Sequence, residues 1–154
     1  MTTVKLCRGE EDFKQAKSLI LDYAEFLGMD LSFQDFDSEL GKLDAMYNEP
    51  AGAFYLLSEG TKVVGGGGIR RFEPGIGEIK RMYIYPAFRG KKLGRLLLDT
   101  LIGSAKALGF TTVRLDTVRW LPEALSLYQR YGFYQIGSYR FNPDPEAVYM
   151  EYKL

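Results

Sequence analysis

Apolar residues recur at two periods along this chain, and the switches between them lay out its elements. Residues 3–7 read as a short strand. Phe13, Ala16, Leu19, Ile20, Tyr23, Ala24 and Leu27 then recur at three and four, which predicts an amphipathic helix over 12–27, ended by Gly28. Residues 32–35 read as a turn and 37–46 as a second helix, stopping before Asn48-Glu49-Pro50. Strands at 53–58 and 62–70 flank a hairpin turn at Glu59-Gly60-Thr61, and 72–77 forms the next connection. Ile79, Met82, Tyr83, Ile84 and Tyr85 make a dense apolar strand that Pro86 stops, after which Leu93, Leu96, Leu97, Leu101 and Ala105 return to a helical period. Residues 113–117 alternate like a strand. Pro122 opens a further helix with Ala124, Leu125, Tyr128 and Tyr131 on its apolar face, and Gly132 closes it. Strands at 133–138 and 147–154 complete the chain.

The order β-α-α-β-β-β-α-β-α-β-β mixes antiparallel hairpins with helical crossovers. It predicts an α/β (mixed α+β) fold: a twisted mixed sheet of about seven strands with helices on both faces. A chain of 154 residues fits a single domain, 1–154, with no linker, repeat or low-complexity segment. Gly65-Gly66-Gly67-Gly68 lacks the spacing of a dinucleotide fingerprint and no helix opens after it. It reads instead as a strand with bulges or with helices packed tightly against it.

Composition narrows the chemistry. Twenty basic and 20 acidic residues cancel, so no net basic domain points to nucleic acid. No apolar run approaches the length of a membrane span and no signal pattern opens the chain. A single cysteine excludes an internal disulfide framework, and a cytoplasmic location is the simple reading. The absence of histidine excludes Ser-His-Asp and Cys-His catalysis and any His-containing zinc site. Acid–base work falls to Asp, Glu, Tyr, Lys or water.

One local cluster stands against this neutral background. Arg89, Gly90, Lys91, Lys92, Leu93, Gly94 and Arg95 form a basic, glycine-containing turn between a strand and a helix. The unpaired N–H groups and positive dipole end of a helix start suit a phosphate, and glycine lets an anion approach. The turn resembles the acyl-CoA-binding motif of the GNAT N-acetyltransferase superfamily, Arg/Gln-x-x-Gly-x-Gly/Ala. Arg89 fills its first position and Gly94 its last, while Lys92 stands where the family most often has glycine. A lysine there keeps its N–H and adds an ammonium, at the cost of strain if φ must be positive. Ala124-x-x-Leu127-Tyr128-x-x-x-Gly132-Phe133 is similar to a second pattern of the same family. The resemblance covers the chain from about residue 53 onward.

That resemblance implies a fold in which two central strands, here about 76–85 and 112–117, splay apart to admit the pantetheine arm of acetyl-CoA. It implies that the turn holds the pyrophosphate and that the backbone of Met82 and Ile84 pairs with pantetheine and polarises the thioester. Tyr128 takes the place of the acid that protonates the departing thiolate. Glu78, on the strand that opens the slot, is the first candidate for the base, with Asp116 the second. The expected activity is transfer of an acetyl group from acetyl-CoA, without a metal, to a primary amine of a small molecule in a ternary complex. A non-catalytic acyl-CoA sensor is the alternative. Neither nucleic acid nor membrane is expected as a partner, and a homodimer is left open. For the acceptor pocket, Tyr23, Phe33, Phe36, Tyr139 and Phe141 with Arg70, Arg71, Arg81 and Arg140 suit a carboxylate-bearing amine, whereas Asp22, Glu25, Asp30, Asp35 and Asp37 would suit an aminoglycoside.

Overall fold

A computed structural model describes residues 1–28 and 36–154. The turn expected at 32–35, with Asp30, Phe33 and Asp35, lies outside the described residues. The strands are β1 (Thr2–Leu6), β2 (Gly52–Glu59), β3 (Lys62–Glu73), β4 (Ile76–Ile84), β5 (Thr112–Val118), β6 (Tyr134–Ile136) and β7 (Ala147–Lys153). They form one sheet in the order β1-β2-β3-β4-β5-β7-β6, in which β4–β5 pair in parallel and their neighbours antiparallel. The helices are α1 (Glu10–Leu27), α2 (Phe36–Leu40), α3 (Leu43–Met46), α4 (Leu93–Ala107) and α5 (Pro122–Tyr131). The expected mixed sheet with helices on both faces is the observed architecture.

Each helix follows its apolar stripe. α1 buries Phe13, Ala16, Leu19 and Ile20 and starts at Glu10, two positions before its apolar period announces it. Glu10, Glu11 and Asp12 there suit the positive end of the dipole, and Gly28 ends the helix at φ 63°, donating to the carbonyls of Ala24 and Glu25. The helix expected over 37–46 is instead two short ones that break at Gly41 and Lys42. The corner lets Leu43 and Tyr47 enter the core while Glu39 is buried on the same side of the sheet.

Two cores flank the sheet. α4 and α5 cover one face, with Leu97, Leu98 and Leu101 against Ile69, Val113 and Leu115. α1 and α3 cover the other, with Leu19, Ile20 and Tyr47 against Phe54 and Leu56. The glycine run of β3 lies between them. A Cβ on Gly66 would sit 2.6 Å from Leu19 Cδ2 on one face, and one on Gly67 3.5 Å from Leu97 Cδ2 on the other. The run also faces a bulge: Gly66 pairs with Tyr83 and Gly68 with Lys80, so Arg81 and Met82 together oppose Gly67.

Parallel pairing between β4 and β5 is short. It joins Ile76 to Thr112, Gly77 to Val113 and Glu78 to Arg114, and then stops. Past that point β4 continues to Ile84 while β5 pairs with β7 alone.

Candidate active site

Where β4 and β5 separate, a cavity of about 690 Å³ opens. Ile79, Arg81, Met82, Tyr83 and Ile84 line it from β4, and Leu115, Asp116 and Thr117 from β5. Among the described residues the edge of β4 facing this space has no strand partner past Glu78, which leaves its backbone N–H groups available to an extended ligand.

The cavity runs on to the basic turn. Arg89, Gly90, Lys92, Leu93, Gly94 and Arg95 line it. Lys91 does not: its ammonium lies 3.6 Å from Glu59 and 5.1 Å from the centre of the Phe88 ring. The Lys91 side chain is thus directed to Glu59 at the end of β2, which leaves its backbone N–H as its contribution to the turn. The first turn of α4 has no side-chain cap, and its N-cap is Lys92, in the left-handed region at φ 62° and ψ 21°. Uncapped N–H groups at the positive dipole end, flanked by Arg and Lys, are a physical fit to phosphates. Arg89 is braced beside them, its Nε donating to the Ile84 carbonyl at 3.0 Å and its guanidinium 4.8 Å above the Phe26 ring. Gly94 has a packing reason too, since a Cβ there would meet Leu127 Cδ2 at 3.0 Å.

Tyr128 reaches the cavity from α5. Its ring is buried against Phe133, and its hydroxyl donates weakly to Met82 Sδ at 3.8 Å. Burial, with the nearby Tyr23 and Asp116, pushes its phenol well above the usual value, so it stays protonated across physiological pH. Tyr131 instead packs on Tyr152, beneath the Arg95 guanidinium at 4.5 Å.

Glu78 occupies a different environment from the one its place in the sequence suggested. It is fully buried, and it is absent from the cavity wall. Arg140 Nη1 donates to both its oxygens at 2.8 and 2.7 Å, Tyr139 donates at 2.7 Å, Arg70 at 3.2 Å, and Lys80 Nζ lies 3.9 Å away. Burial alone would raise its pKa. The charges of Lys80 and Arg140 and the hydrogen bonds from Tyr139 and Arg140 outweigh that and hold the carboxyl below its usual range. This geometry argues against the expectation that Glu78 is the base, because its lone pairs are engaged and its proton affinity is lowered. The same cluster acts on Lys80, whose ammonium burial pushes down to about 7 against the opposing pull of Glu78.

Asp116, by contrast, faces the cavity from the splayed part of β5. Asn142 Nδ2 donates to its Oδ2 at 3.1 Å, and the Asn142 amide is itself oriented by accepting from the Asp144 N–H at 3.0 Å. Asp144 also accepts from Trp120 Nε1 at 2.8 Å, fixing a half-exposed indole on the cavity wall. Asn142 and the Glu39 partner of Arg81 carry no local signal that sequence reading could use. Their contacts span 26 and 42 positions.

Among the described residues no helix is long and apolar enough to cross a membrane, and no group of three or more His, Cys, Asp or Glu could hold a metal ion.

Comparison with known proteins converges with this geometry. Residues 17–133 match the model of the acetyltransferase (GNAT) family. An uncharacterized N-acetyltransferase of Schizosaccharomyces pombe is 36% identical over 156 aligned positions, covering 100% of this chain and 94% of its own. A Klebsiella pneumoniae structure described as that of an acyl-CoA N-acyltransferase superposes with a TM-score of 0.74 at 28% identity, over 100% of this chain and 98% of that one. A Salmonella typhimurium acetyltransferase fold solved with acetyl-CoA superposes at 0.70 and 17% identity, over 99% of this chain and 94% of that one. The turn before α4, the splayed strands and the family match together identify this chain as a member of the GNAT family of acetyltransferases.

Proposed function

We propose that this chain moves an acetyl group from acetyl-CoA to the primary amine of a small molecule by direct attack in a ternary complex. One observation carries the reading: a single cavity joins the uncapped start of α4 to the free edge of β4, the Tyr128 hydroxyl and the Asp116 carboxylate. The turn from Arg89 to Arg95 holds the pyrophosphate. Met82 and Ile84 on the free edge carry pantetheine as an added strand.

An alkyl ammonium, with a pKa near 10.4, is about one part in a few thousand neutral at pH 7. Asp116, held by Asn142, takes the role of base that Glu78 is poorly placed to fill, directly or through a water. The neutral nitrogen attacks the thioester carbonyl carbon, and a β4 N–H stabilises the oxyanion. The C–S bond then breaks, the amide forms, and the departing thiolate takes a hydrogen bond or proton from Tyr128.

Glu78 and its partners lie off the cavity wall and bear on the acceptor only through their net charge. Arg70, Arg140 and Lys80 meet one carboxylate here, and among the described residues Arg70 Nε is buried without a hydrogen-bond partner. That balance favours an acceptor that carries a carboxylate beside its amine. We assign the reaction to the cytoplasm, a reading that a single cysteine with no disulfide framework suits.

Thiol release from acetyl-CoA, followed over amino acids, their carboxamides, polyamines and aminoglycosides, tests the proposal. Turnover of free amino acids above their carboxamides is the expected result. Tight acetyl-CoA binding without thiol release from any amine would replace the enzyme with a cofactor sensor.

A further inference from the structure

The bulge in β4 carries an ion pair whose acidic partner, Glu39, lies outside the cavity. Arg81 and Met82 are the two bulge positions facing Gly67, and Arg81 has φ 59°. A non-glycine residue persists in that region only when its surroundings over-determine it. Here the surroundings are specific. Arg81 Nε donates to Glu39 Oε2 at 2.8 Å and Nη2 to Oε1 at 3.1 Å, a two-point clamp between β4 and α2. Both side chains are 3% exposed, and the Phe36 ring stacks on the guanidinium with its centre 5.2 Å away. Burial works to lower the pKa of Arg81, but the hydrogen bonds and charge of Glu39 outweigh it and keep the guanidinium charged.

The clamp fixes more than a side chain. A bulge takes one residue out of the ladder and re-aims the backbone groups around it. This one lies on the free edge of β4 beside Met82, whose sulfur meets the Tyr128 hydroxyl. Opposite it, a Cβ on Gly67 would stand 3.0 Å from Met82 Cα, so β3 supplies the room that the kink needs. The guanidinium reaches Glu39 from a left-handed Arg81 backbone, so the ion pair favours that conformation. With arginine at this position, loss of the ion pair removes a contact that sustains the bulge.

We propose that Glu39 is a positioning residue: through Arg81 it holds the β4 bulge, and so the N–H that polarises the thioester carbonyl, in register with the cavity. The inference rests on the acetyl-CoA reading above. Glu39 does not line the cavity; it sets the direction of a backbone donor from α2, on the opposite side of the sheet from α4.

Isotope-edited infrared spectroscopy of bound acetyl-CoA labelled with carbon-13 at the carbonyl tests this without knowledge of the acceptor. Wild-type protein should shift the thioester stretch to lower frequency than free acetyl-CoA, as a polarised carbonyl does. Glu39→Ala should lose most of that shift while changing acetyl-CoA affinity less than threefold, because the phosphate turn is untouched. Glycine adopts positive φ without strain. The double variant Glu39→Ala, Arg81→Gly should therefore keep the bulge without the clamp and recover the shift. If Glu39→Ala does not fold, Glu39→Gln is read in its place against Glu39→Gln, Arg81→Gly. An undiminished shift in the single variant overturns the inference, as does a lost shift that glycine fails to restore. Wild-type protein that binds acetyl-CoA with no shift leaves the cofactor assignment standing and removes this one. Absence of binding removes both.

Discussion

Replacing Lys92 with glycine separates what the backbone wants at the start of α4 from what the ligand wants. Lys92 sits at φ 62° with an exposed side chain. The left-handed conformation costs a non-glycine residue about 1–2 kcal/mol. Glycine removes that cost but gives back about 0.4–1 kcal/mol through the greater freedom of its unfolded chain. The apo protein should therefore gain roughly 0.5–1 kcal/mol. At about 2–4 °C per kcal/mol for a domain of this size, the melting temperature rises by roughly 1–4 °C. The ligand sees the opposite. Removing one ammonium beside the phosphate site forfeits a charge-assisted contact, which for an exposed group sits at the low end of about 1.5–3 kcal/mol. Acetyl-CoA affinity should fall about tenfold at low salt. The gap between variant and wild type should narrow near 0.5 M salt, where screening already weakens the contact. Scanning calorimetry of the apo forms and titration calorimetry at two ionic strengths measure both halves. An apo melting temperature that drops would refute the strain argument. An unchanged affinity at low salt would mean that Lys92 points its charge away from the phosphates.

Three further substitutions address the chemistry. Glu78→Gln should cost stability first, since breaking a buried ion pair costs about 3–5 kcal/mol, or roughly 6–20 °C in melting temperature. Because folding depresses the Glu78 pKa, its contribution is complete above about 4.5 and is lost as pH falls through the lower folded value. The variant should accordingly lose part of the wild-type acid destabilisation; unchanged melting with abolished turnover would return Glu78 to the role of base. Asp116→Asn should lower turnover by about 10²–10⁴-fold near neutral pH, with the loss shrinking as pH nears the acceptor's pKa; full activity from pH 6 to 9 would dismiss it as the base. Tyr128→Phe gives up only a 3.8 Å contact to sulfur, so its melting temperature should stay within about 2 °C while turnover falls and acetyl-CoA affinity holds; unchanged turnover would make Tyr128 a packing residue.

What could be read in advance was what the chain states locally. The apolar periods located both cores, and Pro86, Gly90 and the charges around them marked the turn before α4, because helix starts and anion sites depend on residues within a few positions of each other. The four glycines of β3 announced a bulge or close packing; the close packing occurs there, while the bulge they face lies in β4. The environment of Glu78 was not legible, because its decisive partners Tyr139 and Arg140 lie 61 and 62 positions away. The same holds for the positive φ of Arg81, which a bidentate contact from Glu39 sustains and no arginine propensity predicts. The break at Gly41 was missed because the apolar pattern of α2 and α3 runs through it, and only the need to bury both Glu39 and Leu43 makes the corner favourable.

The short parallel junction of β4 and β5 has a consequence for how the molecule opens. The strand ladder between β4 and β5 has three residue pairs, whereas the ladder between β5 and β7 has seven. Cooperative units in proteins separate along lines of weak cross-linking, and the backbone ladder is thin at this seam. Amide hydrogens of β5 and β7 should therefore exchange as one block, at a lower opening free energy than those of β2 and β3. A ligand lying between β4 and β5 touches both halves and acts as a removable stitch across the seam. Saturating acetyl-CoA should slow exchange through β7, a strand that lies beyond β5 from the cavity, and bring the two blocks toward a single opening event.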